Sequence, residues 1–267
     1  MLKDITLGQY YPTESIIHRL DPRVKLLATL MYLVSLFLFH DFVGFVVVTL
    51  FLLVIIKLSR VPFSFMLKSV RAIWVLVVIT AVCNLFFTQG DNTYFAWKFI
   101  HITDQGVSNT VYFTIRLIYL VVGTSVMTLT TTPNKLTDGL EEVLRPLSKI
   151  GVPVHQIAMM MSIAMRFIPI LAEEADKIKK AQMARGANFE EGNIIQRAKA
   201  MVPILVPLFV SAFRRANDLA TAMEARCYHG GEGRTKMKPL RYISADYKAY
   251  AVMVVYLAVI IVIRIFL

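Results

Sequence analysis

The sequence has little charge and almost no cysteine. Asp, Glu, Lys and Arg make up 18% of its 267 residues, and only two cysteines are present. Two cysteines exclude a disulfide framework and a cysteine-based metal site. Hydrophobic residues make up 57% of the chain, whereas about 45–50% is usual for soluble domains. This composition excludes a disordered chain and indicates a protein whose apolar surface is covered by lipid.

The sequence also lacks the motifs that hold nucleotides, metals or covalent intermediates. No G-x-x-x-x-G-K-[ST] loop is present, so the chain cannot hold ATP phosphates in that way. We find no nucleophile–base pair, and the histidines show no ligand spacing: His18, His40, His101, His155 and His229. We therefore expect no catalytic residue, no metal and no cofactor, with any ATP bound by partner proteins.

Positive charge is present in excess. Lys and Arg number 29 against 18 Asp and Glu, which gives a net charge of +11. In a membrane protein this excess marks cytoplasmic loops, so we expect no nucleic-acid partner. The first 25 residues lack the short apolar core of a cleavable signal peptide. Because Arg19, Arg23 and Lys25 precede the first apolar run, we expect a cytoplasmic N-terminus.

Apolar runs long enough to be membrane spans occur five times. They lie at 26–40, 42–56, 72–88, 107–132 and 249–267. Asp41 and Gly44, between the first two runs, predict a tight external turn. The link 57–71 holds four basic residues and no acid, which predicts a cytoplasmic location. The link 89–106 has no positive bias and is predicted to be external.

Residues 133–248 differ from the rest of the chain. They contain eighteen Lys or Arg and twelve Asp or Glu, and their apolar stretches are interrupted. We predict an all-α integral membrane protein of the cell membrane, a helical bundle with long cytoplasmic or interfacial helices. Residues 1–132 would hold an N-terminal cytoplasmic segment and four spans, and 133–248 a cytoplasmic region. The last span, 249–267, would place the C-terminus outside.

Two segments within 133–248 share one pattern, an apolar stripe that ends in an arginine. Counting back from Arg185 or from Arg226 in steps of three and four residues, seven of eight positions are apolar. This spacing is typical of a packed helical seam. The positions are Ile157, Met161, Ala164, Ile168, Leu171, Ala175, Ile178 and Gln182, and then Ala198, Met201, Leu205, Leu208, Ala212, Arg215, Leu219 and Ala222.

The two segments also end alike. Ala181–Gly186 reads A-Q-M-A-R-G and Ala222–Cys227 reads A-M-E-A-R-C, with the arginines forty-one residues apart. This spacing suits a helical hairpin with a turn at Asn188–Asn193. The helix dipole explains a single arginine at such a position, with Gly186 as the residue after the cap. The repetition favours another interpretation, in which two arginine tips enter pockets of a partner.

With these motifs, the chain resembles the transmembrane T components of energy-coupling factor transporters, which take up vitamins and metal ions. The resemblance covers nearly the whole chain and includes His18–Leu26, the span order, both arginine motifs and Arg214–Ala220. It implies a non-catalytic subunit of an ABC importer. Its partners would be two cytoplasmic ATP-binding-cassette ATPases and a membrane substrate-binding subunit, the S component, within the lipid bilayer.

The resemblance assigns ATPase docking to the ends of two long coupling helices. The residues matched by motif are Ala184, Arg185, Gly186, Ala225, Arg226 and Cys227. Cys227 stands where the first motif has glycine, which leaves open whether the second helix ends in the same cap.

Methionines cluster near the start of the first coupling helix. They are Met159, Met160, Met161 and Met165. Methionine packs against varied shapes, so we predict that this cluster contacts the substrate-binding subunit, with ordinary internal packing as the alternative. Arg116 lies inside the fourth apolar run, where an arginine either serves function or reaches a neighbouring carbonyl.

Two other functions remain open from the sequence. An integral membrane enzyme acting on a lipid-linked phosphate would need clustered acids or a nucleophile. Glu173, Glu174 and Asp176 could resemble such a carboxylate site. Ion pairs on a solvated helix face, Glu173 with Lys177 and Asp176 with Lys180, explain these acids better. A secondary transporter would usually repeat its spans, whereas the repeat found here is confined to the predicted cytoplasmic helices. Co-purifying ATPases would favour the coupling subunit over both.

Overall fold

The computed structural model describes residues 10–39, 41–88, 93–97, 100–189, 193–230, 237 and 239–266. Within these ranges the chain is α-helical except for turns and short connections, one 3-10 helix and one two-stranded hairpin. The predicted fold class, an all-α integral membrane protein, is confirmed. Contacts divide the chain into two units, residues 8–140 with 240–267 (the bundle unit) and a second unit containing 141–239 (the paired-helix unit).

Each unit is built mainly from long helices. The bundle unit contains α1 (Ile16–Arg19), α2 (Pro22–Leu38), α3 (Phe42–Ser59), α4 (Phe63–Ala72), α5 (Trp74–Phe87), the antiparallel strands β1 (Thr93–Trp97) and β2 (Ile100–Thr103), and α6 (Asp104–Thr130). The helix α7 (Pro133–Leu144) has residues in both units. The paired-helix unit continues with a 3-10 helix (Arg145–Ile150), α8 (Val154–Ala184) and α9 (Ile194–Ala225), and α10 (Ser244–Phe266) returns to the bundle unit.

Local sequence explains where two of these helices begin. Asp21 caps α2 by accepting from the Arg23 backbone N–H at 2.9 Å, and Pro22 occupies the first helical position, where its missing N–H costs nothing. At the start of α9, Asn193 and Gln196 form a reciprocal capping box. The turn predicted at 188–193 lies partly outside the described residues, because 190–192 are not among them.

Helices long and apolar enough to cross a membrane are α3, α6, α8, α9 and α10. The helices α4 and α5 pass the same test only together, with a 58° bend between them, where the sequence predicted a basic link and then a span. With 17 residues, α2 extends about 26 Å, less than a hydrocarbon core of about 30 Å. Because α8 and α9 are also long and apolar enough to cross a membrane, the cytoplasmic location of residues 133–248 stays a prediction.

The prediction of an external turn at Asp41 and Gly44 is wrong for Gly44. Asp41 precedes α3, but Gly44 lies inside its first turn and is buried against the ring of Phe39. A Cβ at position 44 would overlap that ring, so glycine here permits close packing and not a bend. Turn glycines and packing glycines look alike in a single sequence.

The core of the bundle unit lies between α2, α3, α6 and α10. Each of the four helices contributes a fully buried side chain, Leu36, Val48, Leu129 and Ile260, and Met66 of α4 is buried in the same cluster. The hydroxyls of Ser35 and Tyr256, 2.8 Å apart, join α2 to α10. Hydrogen bonds between membrane helices contribute on the order of 0.6 kcal/mol each, so close packing carries most of the stability.

Candidate functional site

The helix α8 ends in a Schellman motif at the arginine singled out above. Arg185 is the cap residue. The Gly186 N–H donates to the Met183 carbonyl and the Ala187 N–H to the Gln182 carbonyl, both at 3.0 Å. These two bonds define the motif, which requires a left-handed residue after the cap. Gly186 supplies it with a φ of 89°.

The helix α9 ends in the same motif, although a cysteine replaces the glycine. Arg226 is the cap residue. The Cys227 N–H donates to the Glu224 carbonyl at 2.9 Å, and the Tyr228 N–H to the Met223 carbonyl at 3.1 Å. Cys227 adopts a φ of 54°, so it takes up the left-handed conformation itself. The question raised by this residue is therefore answered, and the two caps are alike.

Both arginine ends are open to solvent. The six residues of the two motifs are all exposed: Ala184, Arg185, Gly186, Ala225, Arg226 and Cys227. Within the described part of the chain, neither arginine guanidinium forms a hydrogen bond or an ion pair. The two cationic helix ends have the same cap geometry and are exposed, as a docking surface requires. Docking itself stays a prediction.

One ion pair joins the two helices between their ends. Arg215 Nη2 on α9 donates to Glu174 Oε2 on α8 at 2.9 Å. The side chains of the pair are 39% and 26% exposed, so the contact is partly shielded from water. A charge-assisted bond in such a place holds the helices together more firmly than a fully exposed pair.

The ion pair connects equivalent positions of the two matched helices. Glu174 and Arg215 are 41 residues apart, the same separation as Arg185 and Arg226. Each member of the pair therefore lies eleven residues, about 16 Å of helix, before its own terminal arginine. Arg185 and Arg226 therefore lie at the same distance from the ion pair, each along its own helix.

The predicted stripes are only partly used as a seam. On α8 the half-buried members are Leu171, Ala175, Ile178 and Gln182, and on α9 they are Leu208, Ala212, Arg215 and Leu219. The other stripe positions are exposed in both helices. Helices that cross bury only the residues near the crossing, whereas the periodicity alone predicts a seam along the full length.

The methionine cluster is partly exposed. Met160 is 57% exposed and Met161 40%, while Met159 and Met165 are half-buried. The surface is therefore accessible on α8 at the end away from Arg185, as a contact surface requires. Whether a partner covers it stays a prediction.

A larger apolar surface on α9 was not predicted from the sequence. Five of its exposed side chains lie on neighbouring turns: Val202, Val206, Phe209, Val210 and Phe213. The rings of Phe209 and Phe213 contact each other at 5.9 Å between centroids. The signal is present as apolar residues three and four apart, but a second apolar stripe on the same helix, which ends at Arg226, predicts a different packed face.

Two of the three acidic residues of α8, Glu174 and Asp176, form ion pairs. Asp176 bonds to Lys180 at 2.9 Å, as predicted. The predicted pair of Glu173 with Lys177 is not found among the described residues, where both side chains are exposed. In the same ranges, no three His, Cys, Asp or Glu side chains lie together as metal ligands would.

The His18–Leu26 motif ties the start of α2 to two other helices of the bundle unit. The Asp21 N–H donates to Asp246 Oδ1 on α10 at 2.9 Å, and the Ile243 N–H to Asp246 Oδ2 at 2.7 Å. Lys25 Nζ donates to the Thr130 carbonyl at the end of α6 at 2.8 Å. A single sequence does not reveal this junction, because its partners lie more than 100 residues away.

His18 adjoins the same junction, where its carbonyl accepts from Lys25 Nζ at 3.3 Å. Its Nδ1 lies 2.7 Å from the Ser15 hydroxyl and its Nε2 3.0 Å from the Tyr11 carbonyl. Burial lowers the pKa of the His18 imidazole below its usual value, so the ring is neutral at pH 7. Both ring nitrogens are used, which indicates a structural role.

Arg116 makes the carbonyl contact that the sequence left as one of two possibilities. Its Nη2 donates at 2.9 Å to the carbonyl of Phe39, the residue that ends α2. The rings of Phe37 and Phe113 flank the guanidinium. The side chain is buried, and it neutralises the negative end of the α2 dipole.

Comparison with known proteins gives matches over most of the chain. Residues 13–237 match the family CbiQ, described as cobalt transport protein. The chain is 54% identical over 250 residues to the energy-coupling factor transporter transmembrane protein EcfT of Clostridium kluyveri, with 93% of each protein covered. It is 51% identical to the Thermosediminibacter oceani protein of that name, over 93% of this chain and 94% of the relative. For the Bacillus subtilis protein the identity is 45%, over 92% and 93%.

Proposed function

Because the chain belongs to the CbiQ family of cobalt transport proteins, we propose that it couples ATP hydrolysis by partner proteins to solute uptake. It is a transmembrane component of an energy-coupling factor transporter. The finer proposal names its partners. Two cytoplasmic ABC ATPases bind the ends of α8 and α9, and a membrane S component binds the vitamin or metal ion.

The observation that carries this proposal is the pair of matched arginine ends. Arg185 and Arg226 are exposed, lack partners among the described residues, and occupy identical caps. Both lie about 16 Å of helix from the ion pair between α8 and α9. When two ATPases close on ATP, each moves one tip, and the contact between the helices transmits the movement to the membrane end.

The chain itself supplies no nucleotide site of the phosphate-loop kind. Its sequence contains no G-x-x-x-x-G-K-[ST] loop, so hydrolysis in this proposal belongs to the ATPases. The exposed methionines of α8 and the apolar surface of α9 are the surfaces that the S component would cover.

The proposed orientation has the N-terminus and residues 133–248 in the cytoplasm and the C-terminus outside. The four basic residues of 57–71 support it, since all are exposed: Lys57, Arg60, Lys68 and Arg71. Asn188→Cys, in a chain without its native cysteines, should not react with an impermeant thiol reagent added to intact cells. Labelling at that position would reverse the orientation.

The docking proposal is tested by truncating the arginines. Loss of a buried arginine anchor at an interface costs about 2 kcal/mol or more. Arg185→Ala or Arg226→Ala should therefore weaken ATPase binding about thirtyfold, and the double variant should purify without ATPases and transport nothing. A helix-capping role alone predicts a loss of only about 0.3–1 kcal/mol of helix stability and full assembly.

Matched controls exist on the same two helices. Arg166 on α8 and Arg197 on α9 are exposed arginines away from the caps. Arg166→Ala with Arg197→Ala removes the same charge and should leave ATPase co-purification and uptake unchanged. Equal loss in this control pair would show that general positive charge, and not the tips, recruits the ATPases.

A further inference from the structure

The bundle unit contains an apolar groove beside the junction of Lys25 with Thr130. Its volume is about 310 Å³, and its walls come from α1, α2, α3, α6 and α10. Along α3 the lining extends from Phe51 to Leu58, about 10 Å of helix. Aliphatic side chains form much of the wall, among them Val24, Ala28, Leu52, Val126, Ala249 and Val252.

A basic pocket of about 560 Å³ adjoins this groove. Ile16 and Leu58 line both, so the two cavities meet. Three cations line the pocket: Arg19, Lys57 and Arg60. The guanidinium of Arg19 is paired with Glu14 at 2.8 Å, whereas Lys57 and Arg60 form no ion pair among the described residues.

The helix dipole accounts for only part of this arrangement. Lys57 lies in the last turn of α3 and Arg60 caps it, where cations are favourable. The dipole does not explain why an apolar groove opens beside them. The groove also contains Lys25, but its ammonium is already used by the carbonyls of Thr130 and His18, at 2.8 and 3.3 Å. Lys248 also lines the groove and is exposed, with no ion pair among the described residues. The pocket therefore offers two unpaired cations, Lys57 and Arg60, and the groove offers a third.

We propose that groove and pocket together bind one anionic phospholipid. An acyl chain lies along the groove, and the phosphate lies at Lys57 and Arg60. The charge of the pocket complements a headgroup with net negative charge, and the apolar groove gives a free phosphate ion nothing to bind. Cations at a membrane surface attract anionic lipids, and a shaped groove turns that attraction into a site. The proposal is independent of the coupling function.

Retention of lipid by the purified chain tests this proposal. The full chain is delipidated in mild detergent, mixed with phosphatidylglycerol or phosphatidylcholine, and analysed by native mass spectrometry. We expect one tightly retained phosphatidylglycerol. Lys57→Gln with Arg60→Gln should reduce its retention on the order of tenfold. Lys68→Gln with Arg71→Gln removes the same charge from the neighbouring helix α4 and should have no effect.

A second variant tests the groove without touching the charges. Ala249 lines the groove, whereas Ala251 on the same helix is exposed and does not line it. Ala249→Phe should release the lipid and Ala251→Phe should keep it, with both chains checked for an unchanged circular dichroism spectrum. If Ala249→Phe does not fold, Ala28→Phe fills the groove from α2 and replaces it.

Several results would overturn the site. Equal retention of the two lipids would show ordinary annular lipid. Equal loss in both glutamine pairs would show a general surface-charge effect. Displacement of the lipid by millimolar inorganic phosphate would show an anion pocket in which the groove has no part. Lipid retained by Ala249→Phe would likewise show that the groove does not hold the acyl chain.

Discussion

At the scale of single residues, the two arginine caps are followed by residues with different backbone preferences. Gly186 adopts its positive φ without steric cost. Cys227 adopts a φ of 54°, which for an L-residue with a Cβ costs on the order of 1–2 kcal/mol. Its side chain is exposed, so packing does not offset this cost. The second helix end is therefore the more strained of the two.

Replacing Cys227 with glycine should stabilise the end of α9. Relief of the strain exceeds the extra unfolded-state entropy of glycine, so we expect a gain of about 0.5–1 kcal/mol, seen as a higher thermal midpoint in detergent. The opposite change at the matched position, Gly186→Ala, should lower the midpoint. Both variants keep their arginine and should assemble with ATPases. A lower midpoint for Cys227→Gly would contradict the strain.

At the scale of elements, the ion pair of Glu174 with Arg215 joins α8 to α9 beside the half-buried apolar residues of their contact. It joins equivalent positions of two similar helices. If the two helices move as rigid bodies, movement passes from one to the other at this contact. Weakening this ion pair should leave ATP hydrolysis intact and reduce the movement that reaches the membrane end of the helices.

Reversing one charge of this ion pair should uncouple transport from ATP hydrolysis. Arg215→Glu places two carboxylates together, so we expect uptake per ATP hydrolysed to fall several-fold in proteoliposomes while ATPases still co-purify. The double reversal, Glu174→Arg with Arg215→Glu, should recover part of the loss. Reversing the exposed pair Asp176 and Lys180 on α8 is the control and should change little. Unchanged uptake per ATP hydrolysed in Arg215→Glu would show that this ion pair has no part in coupling.

The sequence predicts elements better than the contacts between them. The arginine ends of α8 and α9 and the Asp176–Lys180 pair depend on residues within one helical turn or one cap, so local patterns reveal them. Glu174 with Arg215, and Asp246 with Asp21, join positions 41 and 225 residues apart. No periodicity in a single sequence specifies such partners. At the break between α4 and α5 the sequence predicts the boundary, because the basic link 57–71 meets the apolar run 72–88 there, but it does not predict that Phe63–Ala72 is helical.

At the scale of the whole molecule, the two units differ in how much apolar surface they leave open. In the bundle unit, α2, α3, α6 and α10 enclose a common core. In the paired-helix unit, the membrane-length stretch of α9 has no buried residue. Large exposed apolar patches mark interaction sites, so the paired helices are expected to be covered in the assembled transporter. Their tips, by contrast, are polar and cationic, which suits soluble partners.

The central claim, that ATPases dock on the helix tips, can be tested with a native thiol. Cys227 is exposed and adjacent to Arg226, whereas Cys83 on α5 provides an internal reference. The measurement is the rate at which N-ethylmaleimide alkylates each cysteine, with and without bound ATPases. We expect assembly to slow the reaction of Cys227 at least tenfold and to leave that of Cys83 unchanged. An equal rate for Cys227 in the free chain and in the assembled complex would contradict docking at this tip.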